Sequence, residues 1–179
     1  MIQTSHGLDK VVCCSFPRSG QSLVRPVVMD YFGEKLKYCE WYDESHLRPN
    51  VCEETNFVKT HDRDLNWHIR EDWKYLVLIR NPLDAVSSWR IMEQEKNYNA
   101  GWKLDLWARW TTRWVINPVP NRLIVSYESM VNNPQLTLMK IVDFIQPKIP
   151  INGELIHDII LRRRIGPRLN HAQDWLGYL

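Results

Sequence analysis

Glycine is scarce, at 7 of 179 residues, and the sequence contains no internal repeat, linker or low-complexity stretch. No run of about 18 apolar residues occurs and no apolar h-region follows the N-terminus, so neither a membrane span nor a signal peptide is expected. An excess of one charge is missing too. The 23 basic and 21 acidic side chains leave a net charge of +2, which argues against general nucleic-acid or membrane-surface binding. Any anion site must therefore be local. The four cysteines, Cys13, Cys14, Cys39 and Cys52, show no C-x-x-C spacing. Reduced structural thiols and a cytoplasmic compartment are the expectation. The length suits one domain, residues 1–179, with a substantial core.

What is present centres on Val11 to Ser22, VVCCSFPRSGQS. Val11 to Phe16 is a short apolar run without helical period, as in a strand covered on both faces. Ser15-Phe-Pro-Arg-Ser-Gly-Gln-Ser22 then reads as a turn into a helix. Gly20 can bring backbone N–H groups toward one point, and the helix adds its N-terminal dipole. That geometry suits an anion; the plainer reading is a simple strand-to-helix connection. A nucleoside triphosphatase loop, GxxxxGK[ST], would have Gly at Ser15 and Lys at Gln21. The cation here is Arg18 instead.

In the following helix Leu23, Val24, Val27, Val28 and Tyr31 recur at core-facing spacing, and Pro26 predicts a kink or a late start. Tyr38 to Thr55 reads as an irregular excursion, either a surface loop or a lid that touches an acceptor. Asn56 to His61 is a second strand that delivers Lys59 and His61 to its carboxyl end, where ligands bind in open parallel sheets. Histidine titrates near neutral pH and can act as a base; the bland reading is a solvated side chain. Tyr75 to Ile79 is a third, buried strand. It ends in Arg80-Asn81-Pro82-Leu83-Asp84, an N-cap with Pro at the first helical position. Ser88, two turns into that helix, can share an anion with Arg80, or Arg80 can be a plain salt-bridge partner. Trp107, Trp110 and Trp114 fall at i, i+3 and i+7, a stripe for core packing or for stacking on a sugar or aromatic acceptor. Arg122 to Ser126 is a fourth strand, followed by Tyr127-Glu128. Asn133-Pro134 caps a further helix, and a last one around Ile156 to Ile160 ends in Arg162, Arg163, Arg164 and Gly166. That basic run complements the helix dipole or clamps a phosphate.

In order, Ser15-Phe-Pro-Arg-Ser-Gly-Gln-Ser22, Val58-Lys-Thr-His61, Leu78-Ile-Arg-Asn-Pro-Leu-Asp-Ala-Val-Ser-Ser88 and Val125-Ser-Tyr-Glu-Ser-Met130 resemble the motifs of the PAPS-dependent sulfotransferases. Gly101-Trp102 and the tryptophans after it resemble that family's Trp-rich helix. The resemblance implies an α/β, three-layer P-loop-type domain, with a central parallel sheet of about four or five strands flanked by helices. It implies transfer of a sulfonate from 3′-phosphoadenosine 5′-phosphosulfate (PAPS) to a hydroxyl or amine, without a metal, leaving adenosine 3′,5′-bisphosphate (PAP). Arg18, Ser19, Gly20, Gln21 and Ser22 would hold the 5′-phosphosulfate. Arg80 and Ser88 would bind the 3′-phosphate, with Arg164 and Gly166 resembling a C-terminal segment that also meets it. Tyr127 would sit near the adenine, His61 would be the base, and Lys59 and Arg18 would meet developing negative charge. Leu23 stands where cytosolic members usually have Trp, and the chain is shorter than those enzymes.

Two other readings stand beside this one: a Mg²⁺-dependent P-loop kinase using Glu128 as acidic ligand, and a non-catalytic nucleotide-binding module of the same fold. A small-molecule or carbohydrate acceptor is the expected partner, with no nucleic acid and no membrane. The sequence does not specify the oligomeric state.

Overall fold

A computed structural model describes residues 8–40, 55–94, 100–147 and 149–166. Five strands, β1 (Val11–Ser15), β2 (Tyr38–Glu40), β3 (Phe57–Thr60), β4 (Lys74–Ile79) and β5 (Arg122–Ser126), form one sheet in the order β2-β3-β1-β4-β5. Every pairing is parallel. The helices are α1 (Gln21–Phe32), α2 (Pro82–Glu93), α3 (Gly101–Thr111), α4 (Tyr127–Asn132), α5 (Pro134–Ile145) and α6 (Gly153–Arg163), with a π-helical turn, Thr112–Ile116, continuing α3.

The strands alternate their side chains between two cores, as a sheet covered on both faces must. Val11, Cys13, Leu76 and Leu78 pack with Val24, Val27 and Val28 of α1 and with apolar residues of α5 and α6. Val12, Cys14, Tyr75 and Val77 pack against Ala85, Val86 and Trp89 of α2 and Trp110 and Trp114 from the other side. The result is the three-layer α/β arrangement expected from the sequence. Burial pushes the Cys13 thiol up to about 12, so it stays neutral and structural.

Three expectations need correction. Pro26 does not delay α1, which runs unbroken from Gln21 to Phe32. Surrounding burial outweighs the lost hydrogen bond: Val24, Val27 and Val28 around the proline are all at most 1% exposed. Tyr38 opens an edge strand rather than an irregular stretch; residues 41–54, which hold most of the stretch read as a surface loop or a lid, lie outside the described residues. Three residues are too few for a period, and β2 forms only because β3 offers a free edge, with Cys39 opposite Val58. Lastly, Cys39 is disulfide-bonded, its partner lying outside the described residues, whereas Cys13 and Cys14 are free and buried. Spacing along the chain says nothing about which thiols meet in space; of the described cysteines, Cys13 and Cys14 alone match the reduced thiols expected. Among the described residues no helix is long and apolar enough to cross a membrane.

The Trp-rich segment clamps the loop after β3. The Asp62 carboxylate, 1% exposed, accepts from the backbone N–H of Asn66 and Trp67, from Arg113 Nε at 3.0 Å and from Trp114 Nε1 at 2.8 Å. Burial raises the Asp62 pKa, and the Trp67 and Trp114 donors and Arg113 pull it back. Asp62→Ala leaves these donors without an acceptor, and we expect it to cost about 3 kcal/mol, measured as a lower urea midpoint at unchanged slope.

Candidate active site

β1 lies at the point where the chain reverses its direction across the sheet: β2 and β3 lie on one side of it and β4 and β5 on the other. Ligands of open α/β sheets bind in the crevice at such a point, beyond the carboxyl ends of the strands. The loops after β1, β3 and β4 leave the sheet there, and these are the three that carry Arg18 to Ser22, His61 and Arg80.

The first of them is a tight turn. Ser19 N–H bonds the Phe16 carbonyl, and Leu23 and Val24 N–H bond Gly20, which caps α1 with φ of +99°. A Cβ at Gly20 would lie 2.5 Å from Met130 Cε and 3.0 Å from the Tyr127 ring, so only glycine fits both the dihedral and the space. Ser19 and Gln21 are buried, while Arg18 and Ser22 are exposed. Arg18 itself has φ of +66°, which turns its side chain along α2. There its Nε donates to Ser88 Oγ at 3.0 Å and its Nη1 approaches Met92 Sδ.

Arg80 closes the opposite side. Asn81 caps α2 through Leu83 and Asp84 N–H, with Pro82 next, as its sequence suggests. Arg80 Nη1 donates to the Arg18 carbonyl at 3.3 Å, and the guanidinium lies 4.2 Å over the Tyr127 ring. Tyr127 therefore braces both Gly20 and Arg80. Two buried polar atoms in this cluster, Ser19 Oγ and Arg80 Nε, have no hydrogen-bond partner among the described residues. Buried polar atoms are normally satisfied, so an acceptor-rich ligand such as a phosphate is the natural complement of both donors. Glu128, the acid a kinase would need, instead holds the Asn81 N–H at 3.0 Å.

His61 stands beside β1 with Nδ1 2.7 Å from the Ser15 carbonyl and 3.2 Å from Ser15 Oγ. Trp110 Nε1 donates to the His61 carbonyl at 2.8 Å, and Trp107 Nε1 to that of Arg80 at 3.3 Å. Lys59, half-buried, lies 3.7 Å from Glu40, which also accepts from Arg25 and the Tyr38 hydroxyl at 2.7 Å each. Burial and the hydrogen bond to Glu40 push the Tyr38 phenol far up.

The structure thus brings Arg18 to Ser22, Arg80, Ser88 and Tyr127 together, with His61 beside them. It joins Arg18 to Ser88, which the sequence assigned to opposite ends of a ligand. Arg164 forms the left-handed cap of α6, with Gly166 just beyond it, and neighbouring Arg163 pairs with Asp30 near the other end of α1. Glu40, Arg25, Asp62 and the indole donors were missed. A carboxylate directly after His61 is the only one of these with a sequence signal.

A family model for the sulfotransferase domain matches residues 8–165. Among solved structures, mouse sulfotransferase SULT7A1 complexed with PAP is similar with a TM-score of 0.54 and 16% identity, over 86% of this chain and 62% of that one. A retinol dehydratase in complex with retinol and PAP gives 0.53 and 19%, over 86% and 64%. The sulfotransferase domain from the curacin biosynthetic pathway gives 0.50 and 16%, over 82% and 76%. The chain spans less than two thirds of the length of the first two, and at these identities the likeness is one of fold. No curated protein matches the sequence. With the family model covering nearly all the described residues, and the β1, β3 and β4 loops gathered at one crevice, the chain belongs to the sulfotransferase family.

Proposed function

We propose that this protein transfers a sulfonate from PAPS to a hydroxyl or amine of a small-molecule or carbohydrate acceptor, with His61 as general base and no metal. The observation that carries the reading is the pair of buried donors without a partner among the described residues, Ser19 Oγ in the turn before α1 and Arg80 Nε on the residue bonded to that turn, with His61 on the adjoining strand end. The neighbours solved with PAP, one of them also with retinol, support a bisphosphorylated nucleotide and a small acceptor.

When bound, PAPS supplies a sulfonate activated by a phosphate leaving group. The Ser19, Gly20, Gln21 and Ser22 backbone and the N-terminus of α1 would hold its 5′ end. Arg80 and Ser88 would hold the 3′-phosphate, and Tyr127, under the Arg80 guanidinium, would orient that cation and border the adenine. Arg164 and Gly166 belong to the proposal as a second 3′-phosphate contact. Arg18 is held by Ser88 in this conformation, so it contributes its charge at the leaving oxygen only after that bond opens. Lys59 is the second cation near the reacting groups, tempered by Glu40. His61 takes the acceptor proton at Nε2, because Nδ1 is engaged at the Ser15 carbonyl.

The kinase reading loses its acidic ligand, since Glu128 caps the turn before α2. A non-catalytic nucleotide-binding module differs from the enzyme only in turnover.

Three measurements test the proposal. PAP at about 100 times its Kd stabilises the protein by about 2.7 kcal/mol, seen as a higher Tm in buffer with chelator and no Mg²⁺; no shift at millimolar PAP overturns the nucleotide assignment. Arg80→Ala raises the PAP Kd by roughly 10- to 100-fold in calorimetry, the worth of a charge-assisted contact. His61→Ala lowers turnover of PAPS with phenolic and amine acceptors by about 10² to 10⁴ and leaves PAP binding intact, whereas a wild-type rate rules the imidazole out as base.

A further inference from the structure

Gln21 occupies the position of the phosphate-binding lysine in a nucleoside triphosphatase loop, yet its side-chain amide is engaged with β1, the strand that precedes the turn. It is buried, its Nε2 donates to the Cys13 carbonyl at 3.1 Å, and its Oε1 lies 3.1 Å from Ser15 Oγ. The direction of each hydrogen follows from what each group can do. The Cys13 carbonyl only accepts, so Nε2 is the end of the amide that faces it and Oε1 faces Ser15. Oε1 only accepts, so the Ser15 hydroxyl gives it its single hydrogen. Ser15 Oγ, 3.2 Å from His61 Nδ1, is then left as an acceptor, and the Ser15 carbonyl, 2.7 Å from the same nitrogen, is an acceptor as well. Nδ1 carries a hydrogen, and the neutral ring has its lone pair at Nε2.

We propose that Gln21 is a positioning residue for His61: through the Ser15 hydroxyl it prevents a competing donor from meeting Nδ1, and so holds the imidazole in the tautomer whose Nε2 accepts a proton. The inference rests on the reading of His61 as base. It also accounts for an uncharged, hydrogen-bonding side chain at this place in the loop. A lysine there has no acceptor to offer Ser15, and the hydroxyl would be free to donate to the ring.

The test uses the full chain labelled with ¹⁵N-histidine, read by long-range ¹H–¹⁵N correlation above the titration range of the imidazole. Wild-type His61 shows a protonated Nδ1 and an Nε2 that carries no hydrogen. Gln21→Met, similar in length and unable to make either hydrogen bond, raises the fraction of Nε2–H tautomer roughly five- to tenfold, the effect of one ordinary hydrogen bond. Gln21→Glu retains an acceptor for Ser15 and keeps the wild-type pattern. In a Ser15→Ala background Gln21→Met produces no further change, because the relay is already cut. The substitution retains the Gln21 backbone that would hold the nucleotide, so PAP affinity by calorimetry tests for a direct side-chain contact: it stays within about twofold of wild type where the side chain serves only Ser15 and Cys13, since one lost contact to the nucleotide would cost more. Gln21→Leu replaces Gln21→Met if the latter does not fold.

An unchanged tautomer in Gln21→Met, an equal shift with and without the Ser15 hydroxyl, or a tenfold loss of PAP affinity overturns the proposal; the last would make Gln21 a nucleotide ligand. None of these signals needs turnover. A wild-type rate in His61→Ala overturns the base reading on which the catalytic purpose depends, whereas failure of the tautomer shift overturns the relay with the base reading intact.

Discussion

Parallel pairing of β1 with β3 on one edge and β4 on the other is the constraint on which everything else in this molecule depends. Parallel strands end together, so three loops distant in sequence leave the sheet side by side. The register is tight enough to set atomic contacts: Cys14 is opposite both Thr60 and Val77, so each chain leaves the ladder within a residue or two of the others. The Ser15 carbonyl, at the last paired position of β1, is then within hydrogen-bonding distance of the imidazole that follows β3.

The second layer of control comes from the Trp-rich helix. Its stripe buries apolar area, and it does more than that, because each indole carries one N–H that must be satisfied when buried. Trp107 donates to the Arg80 carbonyl, Trp110 to that of His61 and Trp114 to Asp62. One helix face thereby ties the ends of β3 and β4 to a common support. The alternative of acceptor stacking by this stripe fits poorly with Trp110 and Trp114, both 0% exposed.

Charge in the crevice is local, as a net charge of +2 requires. Arg18 and Arg80 share one rim with Ser88 and Tyr127, and Lys59 with Arg25 shares Glu40 on the other. Among the described residues Arg80 is held by a carbonyl and an aromatic face rather than by a carboxylate, which leaves its positive charge for an anion.

Much of this was legible from residue order. Four of the five strands were read from short runs in the sequence, Asn81-Pro82 marked the start of α2, and the glycine turn, Lys59-Thr-His61 and Arg80 with Ser88 marked the candidate site. These are local signals: burial on both faces demands an apolar run, a cap demands a side-chain acceptor, and a left-handed position with no room for a Cβ, as at Gly20, demands glycine. The partners across the sheet had no such signal. The β2 edge strand, the disulfide at Cys39, the bond of Arg18 to Ser88 and the engagement of Gln21 with Ser15 depend on which groups the fold places within about 3 Å of one another. The sequence by itself determined four of the strands, the turn and the residue types gathered at their ends; only the tertiary structure decided the edge strand and which hydrogen bonds those side chains make, because strand pairing and a hydrogen bond alike are set by distance and direction in space.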